Sequence, residues 1–173
     1  MEIREVIRKI NQMQVDGVID RYAIGGAVGA TFYLEPTATL DIDVFTRLRR
    51  EPGSIIVTPA PIFDYLKAHG GTMEGEYIVV AGTPVQFLPP GSPLVEEALD
   101  QAVEKDVDGT PVRVFTAEHL AAIALQLGRS KDKARLVQFL EEGALDLQPF
   151  EQILARHGLL ERWEQFKQQF QIE

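Results

Sequence analysis

The sequence predicts an α/β protein of the α+β kind, with a mixed central sheet flanked by helices and a helical C-terminal region. Three observations predict it. Tyr22-Ala23-Ile24-Gly25-Gly26 reads as a short apolar strand running into a paired-glycine turn. Leu40-Asp41-Ile42-Asp43-Val44-Phe45 reads as a strand with carboxylates at alternate positions. From Thr116 onward the apolar residues switch to helical spacing and keep it.

The elements follow in order. Ile3, Val6, Ile7, Ile10 and Met13 recur at helical spacing, which predicts an amphipathic first helix that Gly17 ends. Tyr22–Ile24 is a short strand. The small apolar run over 27–34 predicts a buried helix packed closely on a sheet, stopped by Glu35-Pro36-Thr37. Leu40–Phe45 is the carboxylate strand, Arg47–Gly53 a charged loop, and Ser54–Thr58 a further strand. Ile62, Phe63 and Leu66 mark a helix that Gly70-Gly71 terminates. Tyr77–Ala81 and Val85–Leu88, separated by Gly82-Thr83-Pro84, predict a hairpin. Ser92 caps a helix that opens with Pro93. Val112–Phe115 is a last strand after the Asp108-Gly109 turn. Beyond it come four helices, marked by Leu120/Ile123/Ala124/Leu127, Leu136/Val137/Phe139/Leu140, Phe150/Ile153/Leu154 and Leu159/Trp163/Phe166/Phe170. The expected organisation is an α/β core over 1–115 and a helical region over 116–173 packed on it.

Composition narrows the function classes. A chain of 173 residues can bury one substantial core. It has no cysteine, which excludes disulfides, thiol catalysis and thiolate metal sites. No apolar run reaches the length of a membrane span, and Met1-Glu2-Ile3-Arg4-Glu5 is too charged for a signal peptide, so a cytoplasmic location is expected. A formal net charge of −9 argues against broad nonspecific nucleic-acid binding. His69 and His157 precede glycines at expected helix ends, and His119 lies in a helix start. No His-x-x-x-His spacing occurs, so zinc is not expected.

The carboxylate strand carries the chemistry. Strand side chains alternate, so Asp41 and Asp43 point one way while Leu40, Ile42 and Val44 point into a core. Two like charges on one strand face repel, and a hard divalent cation such as Mg²⁺ relieves that repulsion. A glycine turn beside them lets backbone N–H groups approach a phosphate. Together these features point to a metal-bound nucleoside triphosphate. A dinucleotide-binding fold also joins a strand, glycines and a helix. Here Ile24 stands where the first glycine of Gly-x-Gly-x-x-Gly belongs. Two basic runs, Arg129/Lys131/Lys133/Arg135 and Arg47/Arg49/Arg50, are open to reading as phosphate contacts or as solvated charge.

Gly25-Gly26, a short helix and then Thr39-Leu40-Asp41-Ile42-Asp43-Val44 resemble the signature of the polymerase-β-type nucleotidyltransferase superfamily. Within it the chain is similar to the small bacterial proteins grouped with the AbiEii-type abortive-infection toxins, and Arg129-Ser130-Lys131-Asp132 resembles their Arg-x-Lys-Asp segment. The resemblance implies that Asp41 and Asp43 hold Mg²⁺ for two-metal chemistry on a nucleoside triphosphate. It implies that Gly25, Gly26, Arg129 and Lys131 bind the nucleotide. It places a third carboxylate on the strand over 84–88, where this chain has Gln86. The implied activity is transfer of a nucleoside monophosphate to a hydroxyl on RNA, protein or a small molecule. A toxin–antitoxin setting and an antitoxin-like partner or a second copy of the chain go with it. Gln86 favours a second reading, a catalytically degenerate nucleotide-binding or interaction protein on the same fold.

Overall fold

A computed structural model describes residues 3–36, 41–48, 53 and 58–173. The elements run α1 (Ile3–Val15), β1 (Tyr22–Gly25), α2 (Gly26–Ala30), β2 (Ile42–Thr46), α3 (Ala60–Ala68), β3 (Thr72–Glu74), β4 (Tyr77–Val80), β5 (Thr83–Leu88), α4 (Pro93–Asp100), β6 (Val103–Val107), β7 (Thr110–Val114), α5 (Ala117–Leu127), α6 (Ser130–Glu141), α7 (Leu147–Arg156) and α8 (Leu160–Gln169). The described strands form one sheet in the order β3-β4-β5-β2-β1-β7-β6. It is mixed: β2 pairs antiparallel with β1 and parallel with β5, and β1 pairs parallel with β7.

The period-two pattern separates the two faces of this sheet. Ile42 and Val44 of β2 and Val85 and Phe87 of β5 join Val6, Ile7, Ile10 and Met13 of α1 and Ile62 and Leu66 of α3 in one apolar cluster. The opposite face carries Ala23 and Phe45, and Leu94, Val95, Ala98 and Leu99 of α4 pack there with Phe115 and the apolar residues of α5–α8. This second cluster continues without a break across residues 115 and 116. In α5–α8 the aromatic rings interlock; Trp163 meets Phe150 edge-on with centroids 5.2 Å apart.

Several boundaries differ from the sequence reading. The helix expected over 27–34 ends at Ala30, and the chain continues to Leu34 in tight turns, with Thr31 N–H to Val28 O at 3.1 Å and Phe32 N–H to Gly29 O at 3.2 Å. The hairpin turn is Ala81-Gly82, so Thr83 and Pro84 belong to β5. The last strand runs Thr110–Val114, with Phe115 beyond it. Strands β3 and β6 have no counterpart in the reading. All of β3 is exposed, and β6 is the charged edge strand Val103-Glu104-Lys105-Asp106-Val107, so neither shows apolar alternation. The strand expected over 54–58 falls mostly outside the described residues, as do Leu40, Arg49 and Arg50.

One polar cluster ties α4 to α5 and α7. The fold builds a His–acid pair around Glu97. His119 Nε2 lies 2.8 Å and Arg156 Nε 2.9 Å from the Glu97 carboxylate, and His157 Nε2 lies at 3.3 Å. Thr116 Oγ1 caps α5 by accepting from His119 N–H, and it stands 2.7 Å from His119 Nδ1. A hydroxyl already accepting there donates to Nδ1, which leaves Nε2–H to donate to Glu97. The Arg156 hydrogen bond, followed by those of the two histidines, pulls Glu97 down to about 2. Burial lowers His119. Both shifts oppose protonation of the folded state. Glu97 therefore contributes stability that is complete above pH 4.5 and is lost as pH falls toward about 2. The loss expected over that window is about 3 kcal/mol. His119 adds an acid-side loss that begins below about 6.5, its ordinary value. Melting curves of the native chain and Glu97→Gln at pH 7, 5 and 3 check this. The variant should melt lower at pH 7 and fall less between pH 5 and 3.

Candidate active site

Register brings the site together. Gly25 of β1 lies opposite Asp43 of β2, and Asp43 lies beside Gln86 of β5. On the far side of β5, Ile78 pairs with Val85, which sets Tyr77 of β4 next to Gln86. Asp41 stands one residue before β2. Asp41, Asp43, Gln86 and Tyr77 all line a cavity of about 620 Å³. So Asp41 and Asp43 share a cavity, and Gln86 is their neighbour.

The two glycines do different work. Gly26 opens α2 with φ +59°, in the left-handed region. A Cβ there would overlap Asp43 Oδ2, so only glycine leaves that carboxylate its place. Gly25 does not line the cavity. A Cβ on it would meet Phe45 Cε2 at 2.7 Å and Phe115 Cε2 at 2.9 Å. Those two rings lie 5.0 Å apart and close against its bare backbone.

The other wall comes from α6. Gly128, with φ +66°, ends α5 and turns the chain into Arg129, which caps α6. Asp132 is 1% exposed. It accepts from Arg129 Nε at 2.6 Å, from Arg129 Nη2 at 3.2 Å and from the Arg129 backbone N–H at 3.3 Å. Arg135 Nη1 approaches it at 3.9 Å. The Arg-x-Lys-Asp segment is therefore a helix start whose buried aspartate fixes Arg129. Arg129, Lys131 and Arg135 all line the cavity.

The electrostatics match this layout. Burial raises Asp43 above the ordinary carboxylate value, and the Asp41 charge raises it further. Lys131, Arg135 and Arg129 oppose that rise across the cavity. The Asp41 charge also raises the Tyr77 hydroxyl. Burial lowers Arg135, so its charge sits in a partly dry setting where it acts more strongly than at the surface. Among the described residues no three His, Asp or Glu side chains form a ready metal cage. The donors present suit Mg²⁺ nonetheless, because that ion is commonly held by one or two carboxylates with substrate phosphates and water completing the shell.

Other sequence candidates lie elsewhere. Arg47 is held by Glu96 at 2.6 Å and Asp100 at 2.9 Å, outside the cavity. The sequence reading left the basic run with Arg135 open between phosphate contacts and solvated charge, and it missed Tyr77 and Glu76, which also line the cavity. The remaining wall is apolar: Leu88 and Pro89 after β5, Val95 of α4, and Leu120, Ile123 and Leu127 of α5.

Comparison with known structures adds the fold's relatives. The crystal structure of an antigenic nucleotidyltransferase-like protein from Paracoccidioides brasiliensis matches with a TM-score of 0.58 at 15% identity, over 94% of this chain and 89% of that one. The crystal structure of ANT(2'')-Ia in complex with adenylyl-2''-tobramycin matches with a TM-score of 0.57 at 14% identity, over 98% and 99%. The fold is nucleotidyltransferase-like. The solution structure of the antibiotic-resistance factor ANT(2'')-Ia agrees, with a TM-score of 0.55 at 14% identity over 98% and 97%. No protein-family model matches the chain, and no curated protein matches its sequence. At these identities the likeness is one of nucleotidyltransferase-like architecture. No described helix is long and apolar enough to cross a membrane.

Proposed function

We propose that the chain is a nucleotidyltransferase acting on a Mg²⁺-bound nucleoside triphosphate. One observation carries the reading: the Asp41/Asp43 pair faces Arg129, Lys131 and Arg135 across a cavity of about 620 Å³. Opposed carboxylates and guanidinium groups suit a metal and a polyphosphate held between them. Asp41 and Asp43 are the metal's protein ligands. A bound Mg²⁺ there supplies positive charge to both the carboxylates and the phosphate oxygens. Gly26 keeps the approach to Asp43 open. Gly25 shapes the turn, and Arg129, Lys131 and Arg135 bind the triphosphate. An acceptor hydroxyl attacks the α-phosphorus, the α–β bridging bond breaks, and pyrophosphate leaves with the electron pair. The acceptor's proton passes to solvent or to a site carboxylate.

The finer assignments extend this reading. The Arg-x-Lys-Asp segment and the helices of 116–173 favour the AbiEii-type group and a toxin–antitoxin setting, and a cytoplasmic location goes with the lack of any described helix able to cross a membrane. An antitoxin-like protein or a second copy of the chain would be the partner. Gln86 favours a competing reading, in which the same site binds nucleotide without transfer. Its amide oxygen can ligate a metal but brings no charge where a third carboxylate would stand.

Titration calorimetry of Mg²⁺ with each of the four nucleoside triphosphates tests the proposal, followed by transfer of labelled nucleotide to total RNA and protein. Metal-dependent binding with transfer is the expected result. Binding without transfer supports the competing reading, and no metal-dependent binding defeats both. In the same assay Gln86→Glu is expected to tighten Mg²⁺ binding by roughly tenfold, about 1.4 kcal/mol. An unchanged affinity would remove Gln86 from the metal's surroundings.

A further inference from the structure

We infer that the acceptor is a hydroxyl compound with an uncharged apolar face, and not a polycationic aminosugar of the tobramycin kind. The inference rests on the nucleotidyltransferase reading and adds the acceptor's chemical class. Two observations carry it.

The first is charge. Among the described residues the cavity is lined by the acids Asp41, Asp43, Glu76 and Asp132 and by the bases Arg129, Lys131 and Arg135. Asp132 is buried and committed to Arg129. Asp41 and Asp43 are assigned to the metal. Glu76, exposed at the rim, is then the one lining carboxylate left to meet a cationic acceptor. A polycation would give up its hydration with too few carboxylates to replace it.

The second is the apolar wall. Leu120, Ile123, Ala124 and Leu127 follow one face of α5 at helical spacing, which reads in sequence as a core stripe. Leu120 and Ala124 are buried in the core, but Ile123 is half-buried and Leu127 is 52% exposed. Both line the cavity. Ser92 and Gln126 stand together in the same lining, with Ser92 Oγ 3.3 Å from Gln126 Oε1. An exposed leucine beside a pair of neutral hydrogen-bonding side chains suits a ligand that has an apolar ring and a few hydroxyls.

The test fills the donor site first, so that the wall is read through the acceptor alone. The protein is saturated with Mg²⁺ and the α,β-methylene analogue of whichever triphosphate binds. Phenyl β-D-glucopyranoside and tobramycin are then titrated separately. The expected result is that the phenyl glucoside binds and tobramycin does not. Leu127→Asp should weaken the glucoside by roughly tenfold or more through loss of apolar contact, with the analogue's affinity reporting that the chain is folded. Tighter binding of tobramycin, binding of neither compound, or an unchanged glucoside affinity in Leu127→Asp overturns the inference while the nucleotide reading stands. Failure of every triphosphate analogue to bind overturns the nucleotide reading and this inference with it.

Discussion

Replacing Asp41 and Asp43 together by asparagine is expected to abolish metal-dependent nucleotide binding while the chain stays folded. Calorimetry should show no Mg²⁺-dependent heat with any triphosphate, and far-ultraviolet circular dichroism should be unchanged. The single variant Asp43→Asn should also raise the melting temperature at pH 7. Burial and the Asp41 charge both raise Asp43, so the folded state disfavours its ionised form. A group raised on folding lowers stability once pH passes above its unfolded value, 3.8 for this aspartate. Removing the charge removes that cost. A purely structural aspartate would behave the other way, because its loss would lower the melting temperature. Lost binding with raised stability is therefore the signature of a residue kept for its ligand. A lowered melting temperature in Asp43→Asn would reject this account.

Gly26→Ala is expected to damage binding and stability together. Alanine at φ +59° costs about 1–2 kcal/mol from backbone conformation alone. Its Cβ must also displace the Asp43 carboxylate, which otherwise occupies that volume. Chemical denaturation should show a loss of about 1–3 kcal/mol. Metal-dependent binding should fall much further than Gly25→Ala makes it fall, since Gly25 faces Phe45 and Phe115 and not the cavity. Equal effects of the two substitutions on metal binding would mean that the carboxylate's position does not depend on Gly26.

Local chemistry explains which parts of this molecule were legible. The Tyr22–Gly25 strand, the Ser92 cap and the amphipathic α1 announce themselves through contiguous residues, and the structure has all three. So does the alternation that puts Ile42 and Val44 in one cluster and Asp43 and Phe45 on the opposite face. Edge strands were hidden, because an edge has no second neighbour to enforce alternation. In Val103–Val107 the backbone ladder to β7 makes the strand while the side chains remain charged. The carboxylate half of the candidate site was readable from one strand. The resemblance named Arg129 and Lys131 of its cationic half, while the place of Arg135 and the apolar wall depend on where α5 and α6 pack. The sequence left Arg135 open between phosphate contact and solvated charge, and it is half-buried in the cavity lining; Leu127 closes a helical apolar stripe and is exposed where it lines the cavity and a neighbouring pocket. The Glu97 cluster was invisible for the same reason: its members come from three helices that only packing brings together.

The sheet order also bears on how the protein is made. β7 lies between β1 and the edge strand β6, although it is the last strand in the chain. Arg129, Lys131 and Arg135 come later still. A nascent chain leaves the ribosome N-terminus first, so β1 has an open edge until β7 is made, and Asp41 and Asp43 lack their cationic counterparts until synthesis passes α6. Sheet closure with β7 therefore comes first, and charge balance at the carboxylates follows with α6. A chain stopped before β7 is an unfinished sheet, and one stopped between β7 and α6 is a closed sheet carrying an uncompensated negative patch. The proposed capacity to hold a triphosphate thus doubles as a record that translation has run past the basic helix.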